Sequence, residues 1–127
     1  MIRIFRSQRN RAIEQLRQWA ESLRSQPEVL AVVLFGSVAR GDCTASSDAD
    51  LLVILRDSPL PFHNRIPSYR PRGVCIPTDV FPYTLSEVRA SLAEGWGVAP
   101  VALAEGIVLL GEEAVRQLRE ATHVQEP

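Results

Sequence analysis

Two aspartates, Asp48 and Asp50, stand one residue apart at the head of an apolar run, Leu51-Leu-Val-Ile-Leu55. In a strand, residues i and i+2 point to the same side, so both carboxylates are directed to one spot. Two such charges about 4 Å apart repel by about 4 kcal/mol at an effective dielectric near 20. A folded domain keeps that arrangement when something offsets it. An arginine can do so, and a divalent cation does it better, because hard oxygen donors suit Mg²⁺. Magnesium keeps waters and takes its other oxygens from substrate phosphates, so the pair points to a phosphate-bearing ligand as well as a metal.

A second feature lies a short way upstream. Gly36-Ser37 follows another apolar run, Val29 to Phe35. A Gly-Ser pair between a strand end and a helix start offers backbone N–H groups and a hydroxyl to an anion, and glycine permits close approach. Arg40, one turn on, can add a charge-assisted contact to phosphate or pair with Asp42. Ser47 is either a phosphate contact or a local cap. Holding two ions for an in-line displacement calls for a third acid. Asp79 is the candidate: it sits in an apolar strand, VCIPTDVFPY, where a lone carboxylate is costly to desolvate unless paired or metal-bound. It could bind the ion that activates the attacking hydroxyl and accept its proton.

These side chains need a frame. Apolar Ala12, Ile13, Leu16, Trp19, Ala20 and Leu23 recur at helical spacing, predicting a helix over Arg6–Ser25 that stops before Pro27. Val29–Phe35 and Asp50–Leu55 are continuous apolar runs, as in strands covered on both faces. Ser37 is expected to cap a short helix, Val38–Gly41, and Gly41–Ser47 reads as a loop. Ser58–Gly73 holds four prolines and reads as an irregular crossover with one short helix near His63–Ile66. Val74–Tyr83 reads as a third strand, either near an edge or bulged because of its prolines. Thr84-Leu-Ser-Glu87 is a capping box opening a helix through about Ala93. Gly95–Pro100 reads as a turn, Ile107–Leu110 as a short strand ended by Gly111, and Glu112–Ala121 as a last helix with acids first and arginine late. The tail after it reads as frayed. The expected class is α/β (α+β): a small mixed sheet flanked by helices, with residues 1–127 forming one domain.

Composition narrows the functions. Net charge is −1, so nothing global draws the chain to nucleic acid. All 14 basic residues are arginine, which excludes lysine nucleophiles and a P-loop ending in GK[ST]. No apolar run reaches the ~20 residues of a membrane helix, and no signal core follows the basic start, so a soluble, cytoplasmic protein is expected. Cys43 and Cys75 lack a CxxC partner, so reduced thiols are expected in place of a disulfide or zinc site. Cys43 has no base beside it in sequence and reads as a bystander. His63 and His123 read as surface residues and Trp19 as core. Trp96 reads as either core or partner surface. GWGVAP lacks the third glycine of a dinucleotide fingerprint.

Taken as a set, Gly36-Ser37, ten residues, Asp48-Ala49-Asp50 and a distant Asp79 resemble the nucleotidyltransferase superfamily of DNA polymerase beta type. FGSVARGD and SSDADLLVIL are most similar to its small stand-alone members, the minimal nucleotidyltransferases. The resemblance spans about Val29 to Val88. It implies that Gly36 and Ser37 hold a nucleoside triphosphate, ATP before others. It also implies that Asp48 and Asp50 hold two Mg²⁺ and that Asp79 completes the triad. It implies adenylylation of a hydroxyl on a small helical HEPN-type protein, the chain acting as antitoxin of a toxin–antitoxin pair. The helical acceptor-binding domain of larger relatives is missing, which leaves the acceptor open. An aminoglycoside-type small-molecule acceptor, or a non-catalytic nucleotide-binding module, are the alternatives.

Overall fold

The computed structural model describes residues 2–42 and 47–124, the side chains of 2–6 and 122–124 excepted. Cys43, the middle of the expected Gly41–Ser47 loop, the side chain of His123 and the last three residues of the tail lie outside the described residues. The elements run α1 (Ile2–Ser22), β1 (Val29–Phe35), α2 (Ser37–Arg40), β2 (Ala49–Leu55), α3 (Phe62–Tyr69), β3 (Thr78–Thr84), α4 (Leu85–Glu94), α5 (Ala99–Glu105), β4 (Ile107–Leu110) and α6 (Glu112–Val124). A 3₁₀ turn, Leu23–Ser25, finishes α1 before Pro27. Among the described residues no helix is long and apolar enough to cross a membrane.

The four strands form one mixed sheet in the order β3-β2-β1-β4. β1 is antiparallel to both β2 and β4, while β2 and β3 are parallel. A parallel pair needs a crossover, and the proline-rich segment carrying α3 supplies it. The expected mixed α/β sheet with flanking helices is what forms.

Both central strands are buried from Ala31 to Phe35 and from Leu51 to Leu55. Alternation splits their side chains between two cores. Val32, Leu34, Leu51, Val53 and Leu55 pack under Leu16 and Ala20 of α1. Ala31, Val33, Phe35, Leu52 and Ile54 pack under Val88 of α4, Ala102 and Leu103 of α5, and Val115 and Leu118 of α6. Trp19 packs at the edge of the first core, as expected.

Three expectations need correction. β3 begins at Thr78, not Val74. The Cys75 N–H goes to the Gln15 side chain at 2.8 Å and Pro77 has no N–H, so neither position can donate to a ladder there. Ser37 is not the cap of α2 but its first residue; Gly36 takes the cap position with φ 82° and ψ −160°, a conformation essentially limited to glycine. The turn expected over Gly95–Pro100 gives way at its end to α5, residues 99–105, with Pro100 in its first turn where a missing N–H costs nothing.

β3 is the sheet edge next to β2, and it is blocked against further pairing. Pro82 removes one donor, and Arg65 from α3 donates to the Pro82 carbonyl at 3.0 Å. The capping box forms at Thr84: its hydroxyl accepts from the Glu87 N–H at 3.3 Å, and the Glu87 carboxylate accepts from the Thr84 N–H at 2.8 Å.

Candidate active site

The parallel register sets the arrangement. Asp50 on β2 lies directly opposite Asp79 on β3. Partners in a parallel ladder share a face, so the two carboxylates leave the sheet on the same side. Asp48 precedes β2 by one residue and, two positions from Asp50, belongs to that side as well. Antiparallel pairing puts Phe35 opposite Asp50 on its other flank. Phe35 and Phe81 meet with ring centroids 5.7 Å apart, so an aromatic wall backs the acids on the face that carries α4, α5 and α6.

Burial differs among the three. Asp50 is half-buried, whereas Asp48 and Asp79 are exposed. The desolvation argument for Asp79 therefore fails. Its strand is an edge strand and its carboxylate reaches solvent; what makes it notable is its place beside Asp50. Burial pushes the Asp50 carboxyl above the ordinary carboxylate range, the charges of Asp79 and then Asp48 push it further, and Arg40 pulls it back. All three acids thus feel one another at Asp50. Such mutual repulsion favours the neutral form of the carboxyl unless a positive charge offsets it.

Gly36 has a further role beside the expected one. A Cβ added there would stand 2.5 Å from the Asp50 Oδ2 atom. The bare glycine makes room for the carboxylate itself, which brings the Gly36-Ser37 turn and Asp50 together. Gly36→Ala is expected to strain both the positive φ and this contact. It should cost about 1–3 kcal/mol, read as a fall in melting temperature of about 3–15 °C.

For Arg40 the sequence allows either phosphate or Asp42 as partner. It pairs with Asp42 at 3.1 Å and also with Glu105 of α5 at 2.8 Å. Both pairs are exposed and weak in water, so the guanidinium stays exchangeable toward a stronger anion. Ser47 is half-buried next to Asp48. Two residues that sequence reasoning missed steady the turn. Arg9 of α1 donates to the carbonyls of Val38 at 2.7 Å and Ala39 at 3.1 Å, tying down the end of α2. Glu105 draws Arg40 toward α5. Neither has a local signal, since each acts on a segment far away in the chain.

Among the described residues, no three His, Cys, Asp or Glu side chains are gathered into a cluster that could hold a metal ion. The donor chemistry still suits a hard cation, because the convergent groups are all carboxylates. Magnesium bound by one or two carboxylates, waters and substrate oxygens needs no preformed cage of protein ligands.

The model of the nucleotidyltransferase domain family matches residues 16–96. The chain belongs to this family. The match takes in β1, the Gly36-Ser37 turn, Asp48, Asp50 and Asp79, and extends the resemblance read from sequence into α1 and through α4. Nucleotidyl transfer is accordingly the class of activity of this nucleotidyltransferase. No curated protein matches it. Among solved structures, a candidate nucleotidyltransferase from Sulfolobus solfataricus shares 20% identity over 80% of this chain and 82% of its own, with a TM-score of 0.57. That likeness is one of fold. A toxin–antitoxin complex with AMP-PNP shares 20% identity over 92% of this chain and 89% of its own, at a TM-score of 0.49. A mutant of the toxin–antitoxin pair MntA–HpeT shares 20% identity over 92% of this chain and 88% of its own, also at 0.49.

Proposed function

We propose that this nucleotidyltransferase moves AMP from ATP onto a hydroxyl of a partner protein, with magnesium held at Asp48, Asp50 and Asp79. The observation that carries the reading is the register of Asp50 against Asp79, with Gly36 against the Asp50 carboxylate. Gly36 and Ser37 present backbone N–H groups to the β- and γ-phosphates, and Ser47 stands beside them. Arg40 moves from its two surface pairs to the triphosphate. Magnesium, when bound, neutralises the phosphate oxygens and the developing charge. The acceptor oxygen forms a bond to the α-phosphorus as the bond from that phosphorus to the bridging oxygen breaks, and pyrophosphate leaves. Asp79, exposed at the sheet edge, takes the proton of the attacking hydroxyl.

The resemblance to the small stand-alone members supports a further step: the acceptor is a helical HEPN-type protein, and this chain is the antitoxin that modifies it. The test is intact-mass analysis of a co-expressed helical partner encoded next to this chain, beside titration calorimetry with ATP and MgCl₂. The expected result is a partner heavier by one AMP with wild type and unchanged with Asp48→Ala. A tight complex with no mass change for either protein would leave a non-catalytic binding module.

A further inference from the structure

An in-line displacement places the attacking and leaving oxygens on opposite sides of the phosphorus. The Gly36-Ser37 turn lies at the end of β1, and the acids lie on β2 and β3. Pyrophosphate held at β1 therefore requires the acceptor to approach from the β3 side. That side is not featureless. Asp79, Phe81 and Tyr83 alternate onto one face of β3. The Tyr83 ring meets Phe62 of α3 at 5.7 Å and Trp96 at 6.1 Å. With Glu87 these rings line a cavity of about 190 Å³.

Several contacts hold this cleft open and in shape. The Trp96 indole N–H donates to Glu94, which fixes the ring plane. The Val98 N–H donates to the Tyr83 hydroxyl at 3.4 Å. A Cβ on Gly97 would come within 2.5 Å of that hydroxyl, so glycine lets the loop close onto the ring. Trp96 nevertheless remains 43% exposed, an unusual state for so large an apolar side chain. The cavity is smaller than the ~300–1,000 Å³ of whole-ligand pockets, so it is sized for one side chain and not for a nucleotide. Strand addition at this edge is blocked by Pro82 and Arg65.

We infer that this aromatic cleft is the docking subsite of the acceptor. The acceptor is a polypeptide segment that inserts one aromatic or aliphatic side chain among Phe62, Tyr83 and Trp96 and presents its hydroxyl residue to the carboxylates. Tyr83 lies four residues beyond Asp79, about 13 Å at ~3.3 Å per residue, and an extended segment covers that span in four residues. The anchor and the hydroxyl residue are therefore four positions apart. Glu94 at the rim favours a basic residue beside the anchor. This inference rests on the nucleotidyl-transfer reading above.

The experiment uses the full chain, MgCl₂, ATP labelled in its α-phosphate, and nine-residue peptides with one tyrosine or serine. One peptide carries Phe four positions from the hydroxyl residue with Arg next to it, a second has that Phe replaced by Ala, and a third has it two positions away. The first is expected to be labelled at least about tenfold faster than the others, as one well-buried aromatic anchor would give. Trp96→Ala should erase the difference while leaving ATP affinity within about twofold, since Trp96 lies outside the phosphate site. Trp96→Gln gives the same reading should the alanine protein fold poorly. Equal labelling of the three peptides, a preference that survives both Trp96 variants, or ATP binding without labelling of any peptide overturns the inference. If the wild type neither binds nor turns over ATP, the nucleotidyl-transfer reading fails first and the inference falls with it.

Discussion

Replacing Asp50 by asparagine is expected to abolish nucleotidyl transfer and, in the same protein, to raise the melting temperature. The two effects share one cause. The Asp50 carboxylate sits half-buried against Phe35 and Phe81, in register with Asp79 and two positions from Asp48. Without a cation that negative charge is opposed by burial first and by its two acidic neighbours next. Asparagine keeps the shape beside Gly36 and removes the charge. The melting temperature should rise by about 2–4 °C, the size of shift that relief of a strained functional group commonly brings. The rate should fall by 100- to 1,000-fold or more, about 3–4 kcal/mol, the scale seen when one preorganised electrostatic group is lost from a transition state. The sign with pH follows from the raised carboxyl. The folded state binds this proton more tightly than the unfolded chain. Wild-type stability therefore gains from Asp50 as pH falls through its raised value toward 3.8, and Asp50→Asn lacks that gain. Differential scanning calorimetry at two pH values and a labelled-ATP transfer assay read both arms. A normal rate in the variant would remove Asp50 from the chemistry; a lowered melting temperature would mean that the carboxylate is held by favourable contacts.

How far such an arrangement can be read from sequence depends on how local its causes are. β1 and β4 have the bounds expected of them because each is an apolar run closed by a glycine that no strand continues through. α4 follows its capping box, a signal contained in four residues. α5 escaped because Gly95, Gly97 and Pro100 mark a turn, and seven residues are too few to show helical periodicity. The same divide runs through the site. Asp48 and Asp50 announce themselves by their spacing. That Asp79 should lie opposite Asp50 is a matter of register between parallel strands joined by a crossover, which no local pattern encodes. The burial expected of Asp79 was read from its apolar neighbours, but an edge strand leaves one side open. Gly36 shows the limit most clearly: the need for a glycine was readable, while the group it makes room for, the Asp50 carboxylate, arrives from the next strand.

Arg65 makes the opposite kind of case, a charge that the fold cannot lose. Its side chain is 7% exposed, and its guanidinium holds three elements together. It donates to the Leu60 carbonyl at 2.8 Å, to the Pro82 carbonyl at 3.0 Å, and to both oxygens of Glu87 at 2.6 and 3.2 Å. Glu87 in turn caps the start of α4 through Thr84. Arg65→Ala leaves two carbonyls and a carboxylate without this partner. Truncating one side of a buried pair costs about 3–5 kcal/mol; the Glu87 side chain is 36% exposed and regains some water, so the lower end applies. For a domain of this size about 3 kcal/mol lowers the melting temperature by about 10–15 °C. Lysine should rescue little, because one ammonium cannot span acceptors that a planar fork reaches together. The contrast is Arg116, which pairs with Glu113 and Glu120 but is 56% exposed; Arg116→Ala should leave the melting temperature essentially where it is. Acid provides the second check. The Arg65 hydrogen bond, helped by Thr84 and opposed by burial, holds the Glu87 carboxyl below its usual 4.5. A depressed carboxyl stabilises the fold above the unfolded value and stops doing so as pH falls through the folded one. The gap between wild type and Arg65→Ala, measured by urea unfolding, should therefore be widest near neutral pH and shrink below about pH 4.5. Because Tyr83 and Glu87 line the aromatic cleft, loosening this clamp should also blunt the preference for the Phe-anchored peptide at temperatures where the variant is still folded. A gap that stays constant down to acid pH would assign the loss to packing of the arginine stem and not to its pairing with Glu87.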